Sequence, residues 1–270
     1  MVKLLILSTA FLLLFCAFNT AQNLASSVLN QLGFGNLGFV SLAVLYFTFA
    51  FCSFFATSIV NHLGERAAMF IGAICYTAYI ATFLLPSAKA KYGGDIFLFN
   101  DLFIKLIINV AAVINGFGAG VLWVGAGKYL ARIANDQNKG QYNSIFWSFF
   151  MTSQIVGSIM GSFILNGTDP FTFYCVMTSL CVGASLFFLL LRPVSATSER
   201  TDAESQAHTS NGEEQQKPVK EEIIATAKLL IDTRMLLGLQ PLIMQSAINI
   251  AIFSSIFVNM FKETMDQSDD

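Results

Sequence analysis

The sequence predicts an all-α membrane protein, and its composition and hydropathy pattern together indicate this class. Of its 270 residues, 55% are hydrophobic and only 12% are charged, and 27 are Phe. Soluble domains carry about 25% charged residues, so a water-soluble fold of this length would lack the charge to cover its surface. Apolar runs of about 20 residues, long enough to cross the hydrocarbon core, recur along the chain. The predicted partner is therefore a lipid bilayer, and the net charge of −2 gives no reason to expect a nucleic acid.

The first apolar segment, residues 1–26, fits two interpretations. A lysine, an apolar run from Leu4 to Phe18 and then small and polar residues describe a cleavable signal peptide. The same stretch describes a first transmembrane helix with amides in its second half. We favour the helix, because six spans before a long charged loop require this segment.

Five more spans follow the first, and polar turns separate them. The third ends near Pro86, residues 88–101 are polar and predict a loop, and Asn166 to Pro170 predicts a tight turn. Together the six spans predict one transmembrane bundle over residues 1–191. The spans after the first are residues 37–60, 67–87, 102–126, 144–165 and 171–191.

The chain changes character after residue 191. Residues 192–235 are polar and charged, which predicts a linker whose first part is disordered. Within it, Val219 to Ile231 places its apolar side chains on one helical face. This pattern predicts a short helix, either on the membrane surface or solvated and packed on the protein. Residues 236–270 comprise a seventh predicted span, 236–260, and a polar tail.

The distribution of basic residues predicts a cytoplasmic N-terminus, because cytoplasmic loops carry an excess of Lys and Arg. It does not decide between a span and a signal peptide at the start of the chain. In this orientation the cytoplasmic side has Lys3, Arg66, Lys128, Arg132, Lys139, Arg192, Arg200, Lys217, Lys220, Lys228 and Arg234, and the other side has Lys89, Lys91 and Lys262. The sequence does not indicate which cellular membrane is used.

Six helices followed by a long charged loop and another helix resemble the major facilitator superfamily, in which two six-helix halves flank a cavity. That superfamily carries the pattern G-x-x-x-D-R-x-G-R-R after its second helix. Here Gly64 and Arg66 match it, whereas Asn61 replaces the acid and His62 and Glu65 replace cations. The resemblance implies a charge-paired lock between helix ends, weakened here to Arg66 and hydrogen bonds. An ordinary tight turn explains the same residues.

The fourth span offers a second comparison with the superfamily pattern R-x-x-Q-G-x-G. Asn115, Gly116 and Gly118 supply the amide and the glycines, but Ala112 replaces the arginine. Because the resemblance associates that arginine with proton coupling, a proton-driven mechanism is not expected.

Three further stretches resemble the Unc-93-like family, also called ion channel regulatory proteins. They are FNTAQNLASSV at 18–28, LWVGAGKYL at 122–130 and GQYNSIFW at 140–147. The resemblance implies a regulatory subunit of potassium channels or a trafficking partner of other membrane proteins. It also implies twelve helices, so this chain is expected to be a truncated form that stops after its seventh helix.

Amide side chains within the spans are the candidate binding residues. They either line a central polar cavity or hydrogen-bond across helix pairs, and the sequence does not decide between the two. No Asp or Glu lies at the centre of a span, and Lys105 is placed where it could pair with Asp101 at a helix end. The amides are Asn19, Gln22, Asn23, Asn115, Gln154, Gln245 and Asn249.

Two pairs of glycines are candidate helix-packing positions. Gly116 and Gly120 lie four residues apart, as do Gly157 and Gly161, so each pair shares one helix face. Small residues at this spacing allow helices to approach closely, and helix sliding during a conformational cycle is the alternative role.

The remaining motifs point away from catalysis. We found no nucleophile–base set, metal-ligand cluster or phosphate-binding loop, so we expect neither an enzyme nor a cofactor. Asn166 begins a glycosylation sequon, although it lies too close to the predicted membrane for easy modification. Two hypotheses follow: a regulatory or trafficking partner of a channel or receptor, or a facilitator-type solute transporter or a non-functional fragment of one.

Overall fold

A computed structural model describes residues 1–94 and 96–191, together with residues 224, 228, 232–239, 241, 244, 245 and 248. The described residues contain no β-strand. Seven α-helices account for nearly all of residues 1–191. They are α1 (Val2–Leu29), α2 (Leu37–Leu63), α3 (Glu65–Thr82), α4 (Leu84–Tyr92), α5 (Asp101–Ile133), α6 (Lys139–Gly167) and α7 (Pro170–Phe188).

These seven helices make six segments that are long and apolar enough to cross a membrane, which confirms the predicted fold class. They are Val2–Phe34, Leu37–Leu63, Glu65–Tyr92, Asp101–Ile133, Lys139–Leu165 and Pro170–Phe188. The first includes a π-helical turn, Asn30–Phe34, after α1, and the third combines α3 with α4. The interfacial helix and the seventh span fall mostly outside the described residues, so both stay predictions.

Two connections differ from the predictions. Residues 88–101 were predicted to be a loop, but α4 continues through Lys89 and Lys91 to Tyr92. The chain remains helical there because both lysines find partners beyond the helix, as described below. The turn predicted from Asn166 to Pro170 is also shorter, because α6 runs to Gly167 and α7 begins at Pro170.

The packing of the six spans follows an approximate twofold repeat. Helix α1 packs mainly against α6 and α7, whereas α5 packs mainly against α2 and α3, and α3 also meets α7. Exchanging α1, α2 and α3 with α5, α6 and α7 interchanges the pair α1–α6 with α2–α5 and the pair α1–α7 with α3–α5, and it maps α3–α7 onto itself. This is the three-plus-three arrangement of a major-facilitator half. Helix α1 lies at the centre. In its most apolar stretch of 18 residues 67% are buried, compared with 17% in the corresponding stretches of α2 and of α6.

Aromatic side chains fill the space between α1, α3, α5 and α6. The Phe15 ring lies 5.3 Å from Trp123, 5.4 Å from Tyr76 and 5.0 Å from Phe150, measured between ring centroids. Trp123 and Phe150 are 5.1 Å apart at an interplanar angle of 81°. Such edge-to-face contacts are favourable beyond the area they bury, by about 0.5–1.5 kcal/mol for a pair. This aromatic cluster makes the predicted first segment part of the core.

Candidate functional site

The two buried amides, Gln22 and Asn115, lie at a similar depth in the bundle, between the aromatic cluster and the end of the bundle where α4 connects to α5. Gln22 lies about two helical turns after Phe15 on α1, and Asn115 lies about two turns before Trp123 on α5. Because Phe15 and Trp123 are in contact and consecutive spans alternate in direction, the two amides lie at a similar depth. The Tyr79 hydroxyl of α3 is beside Gln22 at this level.

The buried amides at this depth have unused hydrogen-bonding capacity. Asn115 is fully buried and makes no hydrogen bond among the described residues, and Gln22, which is 6% exposed, has only the neighbouring Tyr79 hydroxyl within reach among them. The Tyr79 hydroxyl, by contrast, lies 3.0 Å from Ser41 Oγ. A buried polar group without a partner costs about 1–3 kcal/mol. Gln22 and Asn115 are therefore the described amides with the most unused hydrogen-bonding capacity.

The other candidate amides are less enclosed. Asn19, Asn23 and Gln154 are half-buried, and Gln245 is exposed. Asn249 lies outside the described residues. Asn166 is in the last turn of α6, one residue before the helix ends. The cavity-lining and glycosylation assignments stay predictions.

The link between α2 and α3 is a single residue, Gly64. Its φ of +78° is in the left-handed region, where a side chain is strained, so glycine permits the immediate start of α3. This abrupt turn places Asn61 on α2 beside α5, where it accepts a hydrogen bond from the Lys128 ammonium group. His62 is exposed.

Two further contacts at this end involve the first residues of α3. Glu65 pairs with Arg132 of α5, with 2.7 Å between Oε1 and Nη1, and its side chain is only 12% exposed. Arg66 donates a hydrogen bond to the Leu189 carbonyl at the end of α7. Arg66 could be identified from the superfamily pattern, but the partner of Glu65 could not, because nothing in the sequence states that α5 ends beside α3. The charge of Glu65 is opposite to the superfamily pattern, and the structure supplies a cation to match it.

The packing glycines differ in how closely their neighbours approach. A Cβ atom at Gly116 would lie 2.5 Å from the Leu45 carbonyl oxygen and 2.7 Å from Thr48 Cβ, both on α2. At Gly120 it would lie 3.6 Å from Ala56 Cβ, an ordinary van der Waals distance. The chain therefore needs glycine at Gly116, and it has room for a methyl group at Gly120.

The crossing of α1 with α6 also packs a glycine against a threonine. Compared with the crossing of α5 with α2, the two residue types are exchanged between the equivalent helices. A Cβ atom at Gly157 would lie 2.6 Å from the Cys16 carbonyl oxygen and would also meet the Thr20 hydroxyl. A Cβ atom at Gly161 would meet the Thr20 methyl group. At this crossing the threonine is on α1, whereas at the equivalent crossing Thr48 is on α2.

Ion pairs also hold the opposite end of the bundle. Lys89 Nζ lies 2.6 Å from Asp101 Oδ1, and Lys91 Nζ lies 3.1 Å from Asp169 Oδ1. The direct partner of Asp101 is therefore Lys89, because α4 extends far enough to bring it there, and Lys105 acts on Asp101 only as a nearby positive charge. Hydrogen bonds from Thr172, and then from Lys91, lower the pKa of Asp169 to about 2.

The described residues contain no group of three or more His, Cys, Asp or Glu side chains that could hold a metal ion. The five cysteines are free thiols: Cys16 and Cys181 are buried, and Cys52, Cys75 and Cys175 are half-buried. The polar side chains buried among the described residues are amides and hydroxyls, and aromatic rings lie beside them. Such groups bind by hydrogen bonding and packing.

The fold and the site define a multi-pass helical membrane protein of major-facilitator type, with a buried amide layer and polar contacts between helix ends. Residues 34–268 match the family described as ion channel regulatory protein UNC-93, and the chain belongs to that family. The relationship to the major facilitator superfamily is consistent with the names of the relatives below.

Curated relatives come from animals, plants and a yeast. The chain is 29% identical to UNC93-like protein MFSD11 of Xenopus tropicalis, over 78% of this chain and 46% of that protein. It is 32% identical to UNC93-like protein 3 of Arabidopsis thaliana, over 57% and 31%. It is 33% identical to the putative potassium channel regulatory protein unc-93 of Caenorhabditis elegans, over 62% and 22%. The chain thus spans less than half the length of these relatives. No solved structure matches it.

Proposed function

We propose that the chain acts as a regulatory or trafficking partner of another membrane protein, such as a potassium channel. The family description and the printed name of the Caenorhabditis elegans relative support this class of function. Both also point away from an enzyme.

The observation that carries the proposal is the enclosure of the central amides within this one bundle. A side chain that lined a cavity between this bundle and a second one would be exposed in this bundle alone. Asn115 is 0% exposed, and Gln22 is also buried. Their placement supports a role in the internal structure of the bundle rather than in a solute pathway.

The outward face of α6 offers a surface for a partner helix. Its exposed side chains include Ser and Thr along the whole helix, between large apolar side chains such as Ile155 and Phe163. The exposed side chains of α2, which is equally exposed, include phenylalanines and no Ser or Thr. In membranes, small and hydroxyl side chains favour close helix association. The α6 hydroxyls are Ser144, Ser148, Thr152, Ser158 and Ser162, and the α2 phenylalanines are Phe47, Phe51 and Phe55.

Co-expression with a panel of potassium channels tests the proposal. Channel surface abundance and whole-cell current are measured with the wild-type chain, with the double variant Ser148→Leu/Thr152→Leu and with the control Phe47→Leu/Phe51→Leu. We expect the wild type and the α2 control to alter at least one channel and the α6 variant to lose the effect. If the wild-type chain changes no channel's abundance, current or trafficking, the proposal is wrong.

A facilitator-type transporter is the second candidate, and the half-buried amides Asn23 and Gln154 favour it. Polar side chains that are partly exposed within spans are placed to meet a solute or a second bundle. Uptake of a panel of neutral solutes into proteoliposomes, with empty vesicles as the control, tests this candidate. Uptake that Gln154→Leu abolishes would favour it over the regulatory proposal.

We also propose that the N-terminus and the 192–235 linker face the cytoplasm, on the strength of the Lys and Arg distribution. Under this orientation the contacts made by Glu65 and Arg66 lie at the cytoplasmic end. An epitope tag before Met1 should be accessible to antibody only after the plasma membrane is permeabilised. A tag at Gly94 should be accessible in intact cells if the chain reaches the cell surface.

A further inference from the structure

The connection between α4 and α5 carries an exposed apolar cluster. Ile96, Phe97 and Leu98 are 57%, 73% and 49% exposed, and Leu102 in the first turn of α5 is 77% exposed. The Phe97 ring lies 4.9 Å from the ring of Phe103, measured between centroids. A connection between helices that faced only water would leave these four apolar side chains solvated.

The connection on the opposite side of α5 provides a contrast within the same chain. Residues 134–138, which join α5 to α6, read Ala-Asn-Asp-Gln-Asn and carry no large apolar side chain. Asn135 and Asn138 hydrogen-bond to each other's backbone in a self-contained polar turn. The exposed apolar surface is therefore a property of the α4–α5 connection.

The apolar cluster continues an exposed stripe on α5. Beyond Leu102 the stripe continues at intervals of three or four residues, which places its members on one helix face. The later members are Leu106, Val110, Val113 and Phe117. Because α5 spans the membrane and this face meets no other helix among the described residues, the stripe is placed to meet lipid. Residues 96–98 extend that lipid-facing surface past the helix end.

The backbone of the connection is suited to a position at the membrane boundary. Phe97–Phe99 form a 3₁₀ turn, in which the Phe99 N–H donates to the Ile96 carbonyl at 2.8 Å. The Asn100 side chain accepts a hydrogen bond from the Leu102 N–H at 2.9 Å and caps α5. Internal pairing of these groups lowers the cost of leaving water.

Polar and aromatic side chains around the cluster match the chemistry of a headgroup layer. Lys105 is exposed one turn into α5, where its long side chain can reach towards the headgroups while its methylenes cover apolar surface. Tyr92 is 65% exposed at the end of α4, and its ring packs edge-on against Phe171. Tyrosine and lysine are residues that anchor membrane proteins at the interface.

We propose that Ile96, Phe97, Leu98 and Leu102 form a lipid-docking segment that inserts into the boundary between headgroups and acyl chains. The occupant is the bilayer leaflet at this end of the bundle. Insertion would hold the α4–α5 end at a fixed depth. The inference needs only the multi-pass insertion of the chain and is independent of the regulatory function proposed above.

Depth-dependent fluorescence quenching tests this proposal in the full chain reconstituted into phosphatidylcholine nanodiscs. An environment-sensitive fluorescent amino acid replaces Phe97 in one sample, Leu106 in a second and Gln137 in a third. Nanodiscs with lipids brominated at shallow or deep acyl positions then report the depth of each probe. We expect the probe at Phe97 to be quenched best by the shallow bromines, about 5–10 Å into the leaflet. The probe at Leu106 should lie deeper, and the probe at Gln137 should show little quenching.

Equal quenching at Phe97 and Gln137 would overturn the proposal. So would a probe at Phe97 that is shielded both from bromines and from aqueous iodide, because that result would place a protein surface there. A second measurement uses Leu98→Glu combined with the probe at Phe97. The added charge should move the probe towards water and lower its shallow-bromine quenching, while Gln137→Glu should leave that quenching unchanged.

Discussion

The contact of α5 with α2 at Gly116 makes the sharpest stability prediction. In Gly116→Ala the new methyl group would meet the Leu45 carbonyl oxygen at 2.5 Å and the Phe49 backbone nitrogen at 2.9 Å. These are backbone atoms of a packed helix, so neither can rotate away as a side-chain end could. The two helices must separate locally instead.

The expected cost follows from two opposing effects. Overpacking of this kind destabilises by about 1–3 kcal/mol. Alanine in place of glycine in a helix interior stabilises the folded state by about 0.5–1 kcal/mol. We therefore expect Gly116→Ala to lower the free energy of unfolding by about 1 kcal/mol, within a range of about 0–2.5 kcal/mol.

Two alanine substitutions on the same helix provide controls. A Cβ atom at Gly127 would meet nothing within 4 Å, so Gly127→Ala should gain the helix-propensity term of about 0.5–1 kcal/mol. At Gly120 the nearest atom would be 3.6 Å away, so Gly120→Ala should be neutral or slightly stabilising. Unfolding of the micelle-solubilised protein by sodium dodecyl sulfate, followed by the fluorescence of Trp123 and Trp147, gives the three free energies. If Gly116→Ala is as stable as Gly127→Ala, the inferred helix contact is wrong.

Three further predictions concern charge, pH and buried polarity. Arg132→Ala should lower the free energy of unfolding by up to about 1 kcal/mol through the loss of the Glu65 ion pair, and a smaller salt dependence in the variant would confirm the cause. Because Asp169 has its pKa lowered from 3.8 to about 2, it stabilises the fold above pH 4, and this contribution should disappear as the pH falls towards 2. Asp169→Asn should abolish that part of the acid sensitivity of the melting temperature, and an unchanged profile would contradict the role of the Thr172 and Lys91 contacts. Asn115→Leu should leave the melting temperature unchanged or raise it, because it removes an unpartnered amide that costs about 1–3 kcal/mol, whereas a clear loss of stability would show that the amide has a partner.

Hydropathy and charge were sufficient to predict the class and the first six spans, because each crossing needs one apolar run of characteristic length. The continuation of α4 to Tyr92 was not predictable in the same way. Lys89 and Lys91 look like loop residues in sequence, and the acids that partner them, Asp101 and Asp169, come from other helices. Local composition does not contain that information.

The candidate site, like the fold, could be predicted from the sequence only in part. The amides and glycines could be selected from residue type and spacing, but their surroundings depend on where helices cross. Gly116 and Gly120 share a helix face, yet only Gly116 lies at the point of closest approach. Glu65 departs from the superfamily pattern, and its ion pair with Arg132 depends on α5 ending beside α3. These are tertiary relationships between residues far apart in the chain.

The reversed placement of threonine and glycine at the two equivalent crossings has a consequence for assembly in the membrane. Thr20 of α1 fits over Gly157 of α6, and Thr48 of α2 fits against Gly116 of α5. If the helices exchanged partners, Thr20 would oppose Thr48, and the two glycines would face each other across a void. Two repeats with similar apolar composition could otherwise mispair as they leave the insertion machinery. Complementary side-chain size at these two crossings gives α1, α2, α5 and α6 one partner each that fits.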